Sequence, residues 1–126
     1  MLVLDSGAIS RLAERSTRAL ALLRSLRAAQ LWPPIVPSVV LVESLRGLPG
    51  RDASVNRFLK TCIVDDKFPI EIARRAAHLR RLAQRGSAVD AVLVAVAEPD
   101  GIVLTGDAAD LQALAAHANG VGVELV

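Results

Sequence analysis

Residues 86–107 read GSAVDAVLVAVAEPDGIVLTGD, and this stretch decides the fold of the chain. Its first half, Ala88–Ala97, is apolar throughout except for Asp90. A segment that is apolar on every side predicts a helix in the middle of the molecule, with Ser87 as its N-cap. A Pro-Asp-Gly turn then leads into the short apolar run Ile102–Thr105, which predicts a buried strand. A central helix followed by a buried strand is typical of an α/β fold.

The same alternation of strands and helices extends over the whole chain. Predicted strands lie at about residues 1–5, 31–36, 62–64, 102–105 and 122–125. Predicted helices lie at about residues 6–14, 17–29, 38–47, 53–59, 69–85, 88–97 and 108–118, with Ser6 and Ser38 as N-caps of the first and third. This order predicts one domain over residues 1–126, a three-layer α/β/α sandwich with a mostly parallel central sheet. Ligands of such sheets bind beyond the carboxyl ends of the strands.

The composition excludes several classes of protein. Hydrophobic residues make up 52% of the chain and charged residues 22%, which excludes a disordered segment. Aromatic residues make up only 2%, so we expect an aliphatic core. The single cysteine, Cys62, allows no internal disulfide and fits a reducing compartment. Charges interrupt every apolar run well before the length of a membrane span, and no signal-peptide pattern is present. We therefore expect a cytoplasmic protein that does not enter a membrane.

The basic residues are nearly all arginine. Arginine supplies thirteen of the fifteen basic side chains, although the net charge is only +2. Arginine binds phosphate in a planar, bidentate manner that lysine cannot reproduce, so a nucleic-acid partner is compatible with this composition. A codon bias towards arginine explains it equally well. Arg74, His78, Arg81 and Arg85 share a face of the predicted helix 69–85, which is either an ordinary solvated surface or a strip that contacts RNA or a partner.

Four carboxylates sit in or directly after apolar runs: Asp5, Glu43, Asp90 and Asp107. Burial of an unpaired carboxylate costs several kcal/mol, so acids seldom occupy such positions. Two carboxylates about 5 Å apart repel each other by roughly 3 kcal/mol at an effective dielectric near 20, and a divalent cation between them reverses that sign. A site of oxygen ligands without His or Cys favours Mg²⁺ or Mn²⁺. The pattern therefore suggests a metal-dependent phosphodiesterase.

Each of these acids also has an ordinary structural interpretation. Asp5 and Asp90 are placed where a carboxylate caps a helix or favours its first turn. Glu43 can be a surface residue of an amphipathic helix. Asp107 and Asp110 compete for the N-cap of the helix at 108–118, and we favour Asp107 as the metal ligand.

The ordered motifs resemble a known family. MLVLDSGAIS (residues 1–10), PSVVLVESLRG (37–47), GSAVDAVLVAVA (86–97) and IVLTGDAADL (102–111) resemble the pattern of PIN domains and, within them, the VapC toxins of bacterial toxin–antitoxin pairs. The resemblance implies an endoribonuclease that depends on Mg²⁺ or Mn²⁺. It implies that Asp5, Glu43, Asp90 and Asp107 are the catalytic metal-binding acids, with Asp110 as an auxiliary ligand and Ser6 and Thr105 as supporting hydroxyls.

The resemblance also implies partners. We expect an RNA substrate, a VapB-type antitoxin and a homodimer, with the apolar sides of helices 6–14, 17–29 and 53–59 as candidate docking surfaces. The main alternative is a catalytically weak PIN-like scaffold that binds RNA or a protein. Two other classes are discounted. An aspartyl-nucleophile phosphatase requires an acid where Gly7 stands. A receiver domain requires a lysine near the last strands, where none occurs.

Overall fold

The structure, a computed structural model, describes residues 1–126 and contains one parallel sheet. Its strands are β1 (Leu2–Leu4), β2 (Ile35–Pro37), β3 (Ile63–Asp65), β4 (Ile102–Thr105) and β5 (Gly122–Leu125). They lie in the order β3-β2-β1-β4-β5, and every neighbouring pair is parallel. The predicted α/β/α sandwich is therefore confirmed, with a sheet that is parallel throughout.

Seven α-helices cover the two faces of this sheet. They are α1 (Ser6–Ala13), α2 (Thr17–Ala28), α3 (Leu41–Ser44), α4 (Pro49–Leu59), α5 (Ile70–Ala83), α6 (Ala88–Ala97) and α7 (Ala109–Ala115). Helix α1 contacts α2, α3 and α4, whereas α5, α6 and α7 contact one another. The two groups form the outer layers, because right-handed crossovers to the two sides of β1 place helices on opposite faces. No helix combines the length and apolar composition that crossing a bilayer requires.

Helix α6 and strand β1 form the centre of the core. Six residues of α6 are buried, and all three residues of β1 are buried. The valines and leucines among them contribute about 1.5–3 kcal/mol each on burial. The prediction of a central helix at 88–97 is confirmed, and so is Ser87 as its N-cap: the Ser87 hydroxyl accepts a hydrogen bond from the backbone N–H of Asp90.

The N-terminus of α1 differs from the prediction. Asp5, not Ser6, is the N-cap, because its Oδ1 accepts a 2.7 Å hydrogen bond from the backbone N–H of Ala8. Ser6 is already inside the helix, and its hydroxyl points to Glu43. A carboxylate at this position satisfies one of the free N–H groups of the first turn and interacts favourably with the helix dipole.

The prediction of one helix over 38–47 was wrong. The segment begins with a 3₁₀ turn, Ser38–Val40, and α3 ends at Ser44. The buried carboxylate of Asp52 explains the early end. It accepts hydrogen bonds of 2.9–3.2 Å from the backbone N–H groups of Arg46, Gly47 and Leu48. These donors would continue the helix, and their capture by Asp52 turns the chain away instead.

One ion pair holds the helices of the second face together. The Arg75 guanidinium donates from Nε to Glu98 Oε1 at 2.7 Å and from Nη2 to Oε2 at 2.8 Å. Glu98 Oε2 also accepts from the backbone N–H of Asn119 at 2.8 Å. Arg75 lies on α5, Glu98 follows α6 and Asn119 follows α7, so one carboxylate connects three helices. Arg75 lowers the pKa of Glu98 below its ordinary value.

We expect Glu98→Gln to lower the free energy of unfolding by about 1 kcal/mol at pH 7, because charge-assisted hydrogen bonds become neutral ones. A lowered pKa stabilises the fold above the unfolded-state value, and this contribution is lost as pH falls through the folded-state value. The difference between wild type and variant should therefore shrink in acid, as measured by urea unfolding.

The matched control is Asp110→Asn, because Asp110 pairs with Arg85 on the surface, where both side chains are about half exposed. This variant should lose no more than about 0.5 kcal/mol. Equal losses for both variants, or a Glu98→Gln effect that persists unchanged at low pH, would contradict the role assigned to Glu98.

Candidate active site

The candidate site lies where β1 and β4 end side by side. These two strands are adjacent in register, with Leu4 opposite Leu104. The chain leaves them towards opposite faces of the sheet, into α1 and α7. This divergence opens a crevice at the carboxyl edge, the usual ligand position in a parallel sheet. Asp5 directly follows β1, and Asp107 lies two residues past β4.

Thr105 joins these two acids. Its side chain is fully buried, and its hydroxyl donates a short hydrogen bond to Asp5 Oδ2. The Thr105 oxygen also accepts a 3.0 Å hydrogen bond from the backbone N–H of Asp107. The backbone N–H of Asp5 in turn donates to the Leu104 carbonyl at 3.1 Å. The hydrogen bond from Thr105 thus orients the carboxylate of Asp5.

The pKa of Asp5 is raised above its ordinary value. Partial burial is the largest cause, because it disfavours the charged form. Hydrogen bonds from Thr105, Ala8 and the Gly106 backbone act in the opposite direction, and the negative charge of Asp90 raises the pKa further. The structure therefore brings Asp5 and Asp90 close enough for their charges to interact.

Asp90 lies in the first turn of α6 and completes a capping box. Its Oδ2 accepts a 3.1 Å hydrogen bond from the backbone N–H of Ser87. The ordinary interpretation of Asp90 as a favourable first-turn charge is thus part of its role. Its remaining oxygen makes no hydrogen bond within the protein and is free to bind a ligand.

Glu43 reaches the site through Ser6. The Ser6 hydroxyl donates to Glu43 Oε2 at 3.3 Å, which connects α3 to the first residue of α1. Glu43 and Asp107 are both exposed, whereas Asp5 and Asp90 are partly buried. The burial suggested by their apolar neighbours was wrong for Glu43 and Asp107. Val40, directly before α3, is buried in the core, whereas Val42 beside Glu43 is itself 80% exposed.

Two glycines allow the walls of the crevice to meet. A Cβ atom at Gly7 would lie 3.1 Å from both the Cα and the N of Gly106. This distance is shorter than ordinary van der Waals contact, so a side chain would push α1 away from the loop after β4. Gly7, which argued against an aspartyl-nucleophile phosphatase, thus has a structural role. It lets Asp5 and the loop after Thr105 approach each other.

Asp110 has a different partner. Its Oδ1 accepts a 2.8 Å hydrogen bond from Arg85 Nε. Neither Asp107 nor Asp110 is the N-cap of α7, because Ala108 occupies that position without a side-chain hydrogen bond. Asp107 Oδ1 accepts only a long hydrogen bond, 3.3 Å, from the N–H of Ala109. An auxiliary ligand role for Asp110 would have to compete with the guanidinium of Arg85.

The chemistry of the donor set fits a hard divalent cation. Asp5, Glu43, Asp90 and Asp107 offer only carboxylate oxygens, the ligands that Mg²⁺ and Mn²⁺ prefer. The interaction between the charges of Asp5 and Asp90 is the kind of repulsion that a cation relieves. In this structure, however, no three Asp, Glu, His or Cys side chains lie close enough together to hold one ion. Each of the partly buried acids instead accepts hydrogen bonds from its own helix.

Sequence reasoning missed two carboxylates of structural importance. Asp52 lies in the polar segment 49–54, and no hydrophobic pattern indicated that it is buried. Glu98 stands next to the Pro99 turn, where the sequence predicted only a loop. Their hydrogen-bond partners come from the backbone or from a distant helix, so neither motif nor spacing reveals them.

Comparison with known families agrees with this geometry. The PIN domain matches residues 2–116, so the chain belongs to the PIN-domain family. PIN domains are generally nucleases that use divalent metal ions, and membership therefore supports a nuclease. A search of curated proteins found no significant match.

Proposed function

We propose that the protein is an Mg²⁺- or Mn²⁺-dependent endoribonuclease and the toxin of a toxin–antitoxin pair. The observation that carries the proposal is the position of Asp5 at the junction of β1 and β4. Its carboxylate is oriented by Thr105 and influenced by the charge of Asp90. Glu43 is connected to the same helix N-terminus through Ser6. Family membership supports a nuclease, and the toxin role and the choice of RNA rest on the resemblance of the four motifs to VapC proteins.

The four acids would hold the metal through carboxylate oxygens. A divalent ion held there would make a bound water more acidic and would stabilise negative charge on the phosphate. Asp5 contributes a fixed orientation, because both of its oxygens already accept hydrogen bonds from the protein. Glu43 and Asp107 are exposed, so their carboxylates are accessible to a substrate and to the water around it.

A second candidate function is favoured by one observation. Because no three acids lie within range of a single ion, the site as described suits a scaffold that binds RNA or a protein without cleaving it. The scaffold and the nuclease differ in one property that is simple to measure, the dependence of RNA cleavage on added metal.

We expect the purified protein to cleave a mixed RNA pool in Mg²⁺ or Mn²⁺ and to be inactive in EDTA. Asp5→Asn and Asp90→Asn should each reduce the cleavage rate by at least 100-fold, roughly the loss seen when a single stabilising group of a transition state is removed. Sequencing of the product ends would map the cut sites.

The matched control is Asp66→Asn, which makes the same chemical change at an exposed residue outside the crevice. It should cleave at the wild-type rate. Cleavage that is equal in EDTA and in Mg²⁺, or equal in Asp5→Asn and wild type, would reject the nuclease and favour the scaffold.

Metal binding should also change the stability of the protein. At a free-ion concentration about 100 times Kd, one bound ion should add roughly 2.7 kcal/mol to the free energy of unfolding. This gain should fade as pH falls, because protonated carboxylates are poor ligands. Glu43→Gln removes one charge and keeps the shape, so it should reduce the increase in Tm on Mn²⁺ addition. Thermal melts that do not respond to Mn²⁺ in wild type would argue against a metal site.

A groove between α1, α2 and α4 supports the proposal of an antitoxin partner. Its volume is about 390 Å³, and its floor includes Leu12, Leu20 and Leu23. The rim carries four arginines and no acid: Arg15, Arg24, Arg27 and Arg57. An apolar floor with a basic rim is complementary to an amphipathic segment with acidic flanks. We therefore propose that the antitoxin is acidic and docks here, on the helices that the sequence indicated.

The aromatic residues of this groove favour a peptide over stacked nucleobases. Arg27 lies 5.5 Å from the centroid of the Trp32 ring and covers it. Phe58 is buried and contacts Trp32 edge to face, with ring centroids 5.9 Å apart. With Arg27 over Trp32 and Phe58 buried, little ring surface is left for the base stacking that single-stranded nucleic acid binding uses.

Expression of the chain alone should slow bacterial growth, and expression of Asp5→Asn should not, because only the first would cleave RNA. A tagged Asp5→Asn protein should co-purify a small acidic protein from its native host. Charge reversal of the groove rim, Arg24→Glu with Arg57→Glu, should abolish that co-purification. The control Arg74→Glu, on the opposite face, should leave it intact. Growth that is equally unaffected by both proteins would reject the toxin role.

We also propose that the protein is a homodimer. Several large apolar side chains are exposed along β3 and the start of α5, among them Ile63, Phe68 and Ile70. Strand β3 is at the edge of the sheet, where unpaired backbone groups and apolar side chains favour association. Light scattering on wild type and Phe68→Glu should give the masses of a dimer and a monomer. A monomeric wild type would refute this.

A further inference from the structure

We propose that Arg80, Arg81 and Arg85 form a phosphate-binding cradle that holds the RNA strand beside the acidic crevice. This inference rests on the proposed nuclease function and concerns the binding of substrate rather than the chemical step. The three arginines lie at the C-terminal end of α5 and in the loop that follows it.

The cradle is an open depression of about 390 Å³ on the protein surface. The lining consists of Arg80, Arg81, Gln84, Arg85 and Gly86, without a single hydrophobic residue. At about 30 Å³ per water molecule, this volume accommodates a phosphate group together with its water shell. Three arginines line the depression, and the one acid in contact with them, Asp110, offsets the charge of Arg85 alone, so the remaining charge is positive and favours an anion.

The positive charges of the cradle are available for a ligand. Arg80 and Arg81 form no ion pair and no side-chain hydrogen bond within the protein. Arg85 uses only Nε, in the 2.8 Å contact with Asp110, so both of its Nη groups remain free. Guanidinium groups bind phosphate through paired N–H donors, and each of the three arginines keeps unused donors of this kind.

The loop after α5 places this cavity next to the candidate active site. Gly86 has a φ of +93°, and a Cβ there would lie 2.6 Å from Leu114 Cδ1, so the loop packs tightly against α7. Ser87 follows immediately and caps α6, where Asp90 lies in the first turn. Asp110 fixes Arg85 from the first turn of α7, three residues after Asp107. The cradle is thus joined by short covalent and hydrogen-bond links to two of the four acids.

These arginines also have an ordinary structural role. Basic residues in the last turn of a helix interact favourably with its dipole, and Arg80 and Arg81 lie in the last turn of α5. That role affects the stability of the helix alone. The test therefore measures RNA binding by folded protein, with circular dichroism confirming that each variant is folded.

The experiment measures the binding of a fluorescent single-stranded RNA to the Asp5→Asn protein in EDTA, at several salt concentrations. Adding Arg80→Ala and Arg81→Ala should weaken binding about tenfold at low salt. The slope of log K against log salt should become shallower by roughly 1.4, since each phosphate contact to a single strand contributes about 0.7. Arg80→Lys with Arg81→Lys should restore most of the slope but not all of the affinity, because lysine keeps the charge and loses the bidentate contact.

The control carries Arg18→Ala on α2 and Arg51→Ala on α4, which remove the same net charge from the other face. It should keep the salt slope of the parent. If both double variants lowered RNA affinity and salt slope equally, the effect would be one of net charge and the proposal would be overturned. If neither variant changed RNA binding, the proposal would also be overturned. In protein with Asp5 intact, the Arg80/Arg81 variant should raise KM with little change in kcat.

The same data separate this inference from the proposed function. Wild-type protein that cleaves RNA equally well with and without Arg80 and Arg81 would overturn the cradle and leave the nuclease standing. Wild-type protein that neither binds nor cleaves RNA would overturn both.

Discussion

The short hydrogen bond from Thr105 to Asp5 connects the two strands on which the site depends. Asp5 ends β1 and begins α1, and Thr105 ends β4, so this contact spans the point where the chain diverges to the two faces of the sheet. Because Asp5 also caps α1, the same carboxylate fixes the direction of the first helix. A residue held by contacts to both a strand and a helix has little freedom to move, and the proposed role of Asp5 as a metal ligand requires such rigidity. The partial burial of the Asp5 carboxylate has an electrostatic cost. Burial and the charge of Asp90 raise the pKa of Asp5, so the stability it contributes is full below its unfolded-state pKa and is lost as pH rises through its folded-state pKa.

The position of Asp90 depends on a different physical cause, the apolar character of α6. This helix is buried along most of its length, so its location relative to β1 and β4 is set by packing on all sides. Its first turn, which carries Asp90, is the part that reaches the carboxyl edge of the sheet, and the capping box with Ser87 holds that turn in place. One acid is thus positioned by hydrogen bonds between strands and another by the burial of a helix. The structure combines two independent constraints, and the resulting interaction between Asp5 and Asp90 follows from both.

Much of this arrangement could be predicted from the sequence, because it follows from local patterns. The prediction agrees with the structure for the apolar run of α6, the Ser87 cap and the strands at 102–105 and 122–125. Hydrophobic periodicity and turn residues determine these features directly.

The break at Ser44 and the cap at Asp5 could not be predicted in this way. In the first case Asp52, eight residues further on, captures the N–H groups that would extend the helix. In the second, two adjacent residues were both acceptable caps, and contacts with Thr105 and Glu43 decide between them. Apolar neighbours did not indicate the exposure of the acids, because Glu43 and Asp107 face outward.

An acidic crevice creates a difficulty for any enzyme that acts on nucleic acid, because carboxylates repel the phosphates they must approach. A cation relieves the repulsion at the reacting phosphate only, and the neighbouring phosphates of the strand still enter a negative field. Positive charge close to the crevice, but separate from the metal ligands, removes this second repulsion. The arginines at the end of α5 meet that requirement, and the contact between Arg85 and Asp110 keeps one of them beside the crevice rather than in it. On this view Asp110 serves the site better as the anchor of an arginine than as an additional ligand.

The arginines of the groove lie on the other face of the sheet, around an apolar floor between α1, α2 and α4. They are therefore too distant to contact the same segment of an RNA strand. The two basic surfaces thus differ in what surrounds the charge, with a polar lining suited to phosphate in one and an apolar floor suited to a peptide in the other.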